Sequence, residues 1–262
     1  MRARLGILLF TSVTSAYSSA SEVVTLDEVT VLGEVEGQIG YVNQFEQPTT
    51  TGSKLGLTIK ETPASVEVIN AETMQERGDT TVIRAVTKAA GITGGSSGHG
   101  TTGNYSARGF TGYPGIDFLQ DGIKLNGTIF SKRTLDVSNL DRIEVIRGAS
   151  SVLNGEGSVG ATVNLITKKP SLTTEETELG FKAGSLDSYR FNLGNAGIIV
   201  DDKLAYRVDM VTRQIGSNYD GEGRELASLS TSFLYKINDD LITSLSFEKT
   251  KDDWRTIIKG RP

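Results

Sequence analysis

The chain contains no cysteine and a single histidine, His99. Cysteine zinc sites, disulfide scaffolds, thiol nucleophiles and multi-histidine metal centres are therefore excluded. A Ser-His-Asp triad would have to recruit His99 from the glycine-rich run SSGHGTTG. Proline is scarce, at 5 residues in 262, whereas glycine numbers 30. With 37% hydrophobic and 23% charged residues, the composition is neither disordered nor collagen-like. No apolar run reaches about 18 residues, so no helical membrane span is encoded. An excess of cations is lacking too: the formal charge is -5, which argues against a nucleic-acid partner.

Arg2 and Arg4 precede a short apolar stretch, residues 5–10, and small residues follow at Ser18, Ser19 and Ala20. That is the pattern of a secretory signal peptide over residues 1–20. Cleavage after Ala20 removes Arg2 and Arg4 and takes the charge from -5 to -7. Residues 21–55 are polar and rich in Gly, Thr and Gln, and read as a mobile arm with one strand-prone island at residues 26–31.

Residues 56–170 read as mixed α/β. A strand is expected over 64–69, then a helix over 71–77 capped by Asn70 and ended by Gly78. A second helix is expected over 80–90, with Val82, Ile83 and Val86 on one face and Gly91 as its stop. Further strands are expected over 105–110, 116–120, 142–147 and 162–167. Residues 171–262 alternate strictly. Leu179, Phe181 and Ala183 oppose Glu178, Gly180 and Lys182; Leu204, Tyr206, Val208 and Met210 oppose Ala205, Arg207 and Asp209. Five such period-two segments, one face apolar and aromatic and the other polar, carry the pattern of an outer-membrane β-barrel wall. The turn at 238–240 is short and the connection 214–226 long. Single-chain barrels start at about eight strands, so five strands do not close one, and the chain reads as the front part of a longer protein.

Three motifs are discounted on physical grounds. GEGSVG at 155–160 matches GxGxxG, but the β-branched run that follows is a strand, where a dinucleotide site needs a helix. Two N-x-[ST] matches, at Asn104 and Asn126, are short enough to arise by chance. The carboxylate pairs Asp117/Asp121 and Asp136/Asp141 read as surface or turn residues.

Four segments resemble the plug domain of TonB-dependent outer-membrane receptors, most closely the ferric-siderophore branch: TPASVEVI at 62–69, YSARGF at 105–110, FLQDGI at 118–123 and DRIEVIRGASSVLNG at 141–155, running on through GATVNLITKKP at 160–170. The resemblance implies an α+β plug, a mixed sheet with short helices, followed by the first five or so antiparallel strands of an incomplete 22-stranded transmembrane β-barrel. It implies a non-enzymatic receptor in the outer membrane of a Gram-negative bacterium. Receptors of the same architecture for cobalamin or a glycan, or a transducing receptor, are the alternatives; a soluble binding module is the reading outside the family. Leu26, Asp27, Glu28, Val29, Thr30 and Val31 look like the TonB box, which would add as a strand to the TonB C-terminal domain. Loops 96–103, 111–115 and 127–131 correspond to the outward plug apices and place His99, Tyr113 and Phe130 toward the ligand. Arg108 and Arg147 look like the plug arginines that meet barrel glutamates on later strands; pairing within the plug, with Glu144, is the alternative. The implied partners are TonB, a ferric siderophore and outer-membrane lipid. No cofactor is implied, because iron arrives wrapped in its chelator.

Overall fold

The computed structural model describes residues 48–53, 55–95, 104–111, 115–125, 135–148, 158–216 and 223–255, all within one compact unit. The expected signal peptide, most of the arm and the strand-prone island at 26–31 lie outside the described residues. The elements in chain order are β1 (Ser65–Asn70), α1 (Ala71–Glu76), α2 (Val82–Val86), β2 (Ile92–Gly95), β3 (Asn104–Ala107), β4 (Phe110–Thr111), β5 (Ile116–Gln120), β6 (Ile123–Lys124), β7 (Leu140–Arg147), β8 (Ala161–Thr167), β9 (Glu176–Ala183), β10 (Tyr189–Val200), β11 (Leu204–Gly216), β12 (Gly223–Lys236) and β13 (Ile242–Arg255).

A mixed sheet in the order β1-β7-β8-β5-β6 forms the centre of the first half, with β5 and β8 parallel and the other neighbours antiparallel. Its strands are apolar because both faces are covered. Ile143, Val145, Val163 and Leu165 share a buried cluster with Met74 of α1 and Val82, Ala85 and Val86 of α2. On the opposite face, residues 49–51 lie over Glu144 and Asn164, which stand in register with Val68. A small sheet β2-β3-β4 adjoins.

The structure corrects four expectations. The strand over 105–110 is a hairpin: Arg108 (φ 51°) and Gly109 (φ 83°) form a two-residue loop between β3 and β4. Positive φ at both loop positions is the type I′ geometry, whose twist matches the flanking strands. The helix over 80–90 stops at Val86. The Thr87 hydroxyl donates back to the Ile83 carbonyl at 2.7 Å, and the next bonds, Lys88 to Ala85 and Ala89 to Val86, tighten to three-residue turns. Thr81 caps that helix by accepting from the Arg84 amide, whereas Asn70 makes no capping bond to α1. Finally, the β11–β12 ladder continues to the pair Gly216–Gly223, so the connection is residues 217–222 and not 214–226.

The last glycine of GEGSVG has a packing role, as the strand β8 that follows it implies. A Cβ on Gly160 would lie 2.5 Å from the Gly115 carbonyl oxygen and 2.7 Å from that of Ala107. Both obstacles are backbone, so neither can rotate away. Gly160→Ala is expected to destabilise the plug by about 1–3 kcal/mol, the usual range for overpacking. Denaturant titration of the receptor checks this; a loss below about 0.5 kcal/mol contradicts the close approach.

The second half is an antiparallel sheet in the order β13-β12-β11-β10-β9. One face is exposed and apolar: Leu179 (72% exposed), Phe181, Leu193, Met210, Phe233, Leu245 (73%) and Phe247. The other buries Arg190, Arg207, Asp209 and Arg213 against the plug. The apolar band is slanted. Along one register line Phe181 faces Phe191, Thr212, Ala227 and finally Lys251, but the band on β13 centres on Leu245, six residues further down. Six residues are about 20 Å along a strand and four inter-strand steps about 19 Å, so the band crosses the strands at about 45°. That is the tilt at which barrel strands cross a bilayer. The described edges, β9 and β13, each pair on one side only, so the sheet is not closed into a barrel.

Candidate functional site

The sequence places the plug's working parts at its N-terminal arm, its apices and its contacts with the wall; the described residues contain the last of these and the root of the first. The root is held by Glu144, a fully buried carboxylate in the centre of the mixed sheet. Its Oε2 accepts from the Thr49 hydroxyl at 2.9 Å, the Thr50 amide at 3.2 Å, the Thr51 amide at 3.0 Å and the Thr51 hydroxyl at 2.6 Å. Its Oε1 accepts from Arg142 Nε at 2.8 Å. Asn164 Nδ2 donates to the Thr51 hydroxyl at 2.8 Å, and its Oδ1 accepts from the Gly122 amide at 3.1 Å. A buried carboxylate is stable only with such a complete set of donors.

Arg147 is not paired with Glu144. The two alternate across β7, and Glu144 is matched by Arg142 on its own face. The Arg147 guanidinium instead holds Glu67 of β1, donates to the Ala90 carbonyl at 2.6 Å and reaches the Ser65 hydroxyl at 3.2 Å. Pairing within the plug is thus realised for Arg147, with Glu67. Burial draws its guanidinium below the ordinary arginine range. Arg108 sits exposed at the tip of the β3–β4 hairpin.

The most buried ion pair of the seam between plug and wall has the opposite polarity, plug carboxylate to wall arginine. Asp136, just before β7, receives Arg190 as a fork, Nε at 3.0 Å and Nη2 at 2.6 Å. Arg213, directly opposite Arg190 in the β10–β11 ladder, approaches the same carboxylate at 3.7 Å and makes no hydrogen bond among the described residues. A second contact joins Lys168, after β8, to Glu178 of β9 at 2.5 Å, and Glu178 passes on to Arg207 at 2.8 Å. A third is Gln120 to Glu248 of β13 at 3.0 Å. A crevice of about 710 Å³ separates α1 from β9–β11, lined by Glu72, Asp141, Lys169, Glu176, Lys182 and Arg207 among others.

Sequence reasoning read Asp136 only as a surface or turn residue and assigned no role to Arg190 or Arg213. The available signal was their inward phase: a charge on the inner face of a filled barrel needs a partner on the plug. The box residues Leu26, Asp27, Glu28, Val29, Thr30 and Val31, and His99, Tyr113 and Phe130, lie outside the described residues. Among the described residues, no three His, Cys, Asp or Glu side chains converge as a metal cage.

A mixed-sheet plug ion-paired to the polar inner face of tilted, outwardly apolar strands defines a plugged outer-membrane barrel. Comparison with known proteins gives the family. The TonB-dependent Receptor Plug Domain model matches residues 58–162. The chain is 29% identical over 196 residues to the ferrichrome outer membrane transporter/phage receptor of Escherichia coli K12, covering 73% of this chain and 26% of that protein. It is 37% identical over 157 residues to the ferripyoverdine receptor of Pseudomonas aeruginosa, covering 58% of this chain and 18% of the receptor. The solved pyoverdine outer membrane receptor of P. aeruginosa, bound to pyoverdine, superposes with a TM-score of 0.73 at 26% identity, covering 87% of this chain and 33% of that one. Residues 58–162 are a TonB-dependent receptor plug domain, and the chain spans about a quarter of the length of the outer-membrane siderophore receptors and transporters it resembles. The relatives named are receptors and transporters rather than enzymes.

Proposed function

We propose that this chain supplies the TonB box, plug and first wall strands of a receptor that takes up ferric siderophores across the outer membrane, driven by TonB. The observation that carries the reading is the ion-paired plug behind a wall whose apolar band slants at the angle a lipid-spanning barrel needs. No covalent chemistry is called for. The chelate would rest on the apex loops, with His99, Tyr113 and Phe130 against its organic shell, and iron would stay within the chelator. Arg108, exposed at its hairpin tip, is the plug cation offered to carboxylates of the wall. TonB would hold Leu26, Asp27, Glu28, Val29, Thr30 and Val31 by adding them as a strand, and lipid would cover the outer band.

Strand addition works through main-chain bonds, so its test is Val29→Pro against Val29→Thr. Proline removes a donor and fixes φ, whereas threonine keeps the backbone and the β-branch. The proline variant is expected to bind the TonB C-terminal domain at least tenfold more weakly and to lose uptake of ferric siderophore; the threonine variant is expected to stay within about threefold. Equal binding by both would overturn the box assignment.

A further inference from the structure

The described chain begins at Pro48, and the firmest attachment of residues 48–53 to the plug is made at one atom. Four donors from Thr49, Thr50 and Thr51 converge on Glu144 Oε2, and four of the residues in this segment, Thr49, Thr51, Gly52 and Ser53, are buried. Bonds that share one acceptor cannot be peeled singly without weakening the rest. If residues 49–51 lift away, Glu144 keeps only Arg142 as a partner among the described residues, within a sheet. Asn164 loses the Thr51 hydroxyl at the same moment, and Asn164 is also the acceptor for the β5–β6 turn. Residues 55–64 fold back on the clip through the Pro48–Thr58 bridge and the bond from the Thr49 amide to the Leu57 carbonyl, and bury Ile59 and Thr62; the attachment beyond them is of a different kind, since β1 is an edge strand held to β7 by its ladder and by the Arg147–Glu67 pair. The chain therefore meets a brittle polar clip first and a strand ladder second.

We infer that the Glu144 clip is where a pull on the N-terminal arm is first resisted, and that Glu144 is the positioning residue coupling that pull to the central sheet. The inference rests on the reading that TonB holds residues 26–31. Under load the clip yields as one event and frees residues 48–64, while β1 stays on its ladder. The freed stretch is seventeen residues, about 58 Å of extended chain at about 3.4 Å per residue. Release also leaves a desolvated carboxylate over β7 and β8, so the sheet face opens to water only after the arm has been drawn out.

The experiment is single-molecule pulling on the full-length receptor in detergent, through a synthetic handle at Ser21. The expected first event lengthens the chain by no more than about 58 Å, the contour of the freed stretch less the span it already covers in the fold. At constant load, Glu144→Gln and, separately, Thr51→Val shorten the clipped lifetime at least tenfold, while the exposed α1 variant Glu72→Gln leaves it unchanged. Thr51→Val keeps the β-branched shape and the buried charge, so a folding defect in Glu144→Gln does not decide the matter. Unchanged lifetimes in both clip variants, or a first event longer than about 58 Å, overturn the inference. A second arm pulls through the TonB C-terminal domain. If TonB fails to hold while the handle still shows the event, the box reading falls and the clip stands; if TonB holds and the clip variants behave as wild type, the clip falls and the box reading stands.

Discussion

Asp136→Ala should be the most damaging single substitution at the plug–wall seam, costing about 3–5 kcal/mol, the range for stripping the partner from a buried ion pair. The carboxylate serves two arginines that face each other across the β10–β11 ladder, both more than nine-tenths buried. Without it, two like charges stand opposite each other with no compensating anion within hydrogen-bond reach among the described residues. Asp136 also accepts from the Ser138 amide at 2.9 Å, a bond lost in the alanine variant, whereas its main-chain bridge to Thr81 at the cap of α2 is kept. Asp136→Asn separates charge from geometry. It keeps an acceptor for Ser138 but gives up the anion, and should fall between wild type and alanine. The double variant Asp136→Leu with Arg190→Met removes the demand together with the supply and should recover part of the loss. Equilibrium denaturation of the receptor in detergent, with amide exchange over residues 135–140, provides the readout. Equal stability of wild type and the alanine variant would mean the seam is not ion-paired in the assembled barrel.

How far the sequence alone reveals this seam depends on the range of the signal. The wall strands were legible because lipid and lumen impose opposite polarity on alternate residues, which leaves a local period of two. The slant of the band was also present in the sequence, but only once the register is known does Leu245 prove to be out of line with Phe181. Strands β5, β7 and β8 were legible as apolar runs between glycines. The break inside residues 105–110 was not. Arginine is an unusual resident of the left-handed region, and only its glycine neighbour hinted at a loop. The second helix was overextended because Val82, Ile83 and Val86 fit a helical face, while the hydroxyl of Thr87 that ends it leaves no mark on that pattern. The pairings were least legible. Asp136 meets Arg190 across 54 residues, and Glu144 meets Thr49 across 95. The phase of a strand says that Arg190 points inward and that Glu144 shares a face with Arg142; it does not say which distant side chain waits there.

Leu245→Arg should cost about 2–4 kcal/mol of barrel stability, because the slanted band puts this residue near mid-membrane. Leu245 is 73% exposed, faces Phe233 across the ladder and has Phe247 two residues along the same face. A guanidinium there must either lie in hydrocarbon or draw in water and headgroups. Ala227→Arg is the internal comparison. It is also outward and exposed, but it stands opposite Lys251, at the end of the strand where the face turns charged. The tilt places it about 10 Å nearer the membrane surface than the band centre on its own strand, so it should cost no more than about 1 kcal/mol. A soluble sheet would reverse the reasoning. On a water-facing surface both arginines would be nearly neutral, within about 0.5 kcal/mol. The two variants therefore measure the membrane reading and the angle at once. Folding titrations of the full-length receptor into lipid vesicles give the difference. Near-equal small costs would remove the lipid face, and near-equal large costs would keep the lipid face but cancel the slant.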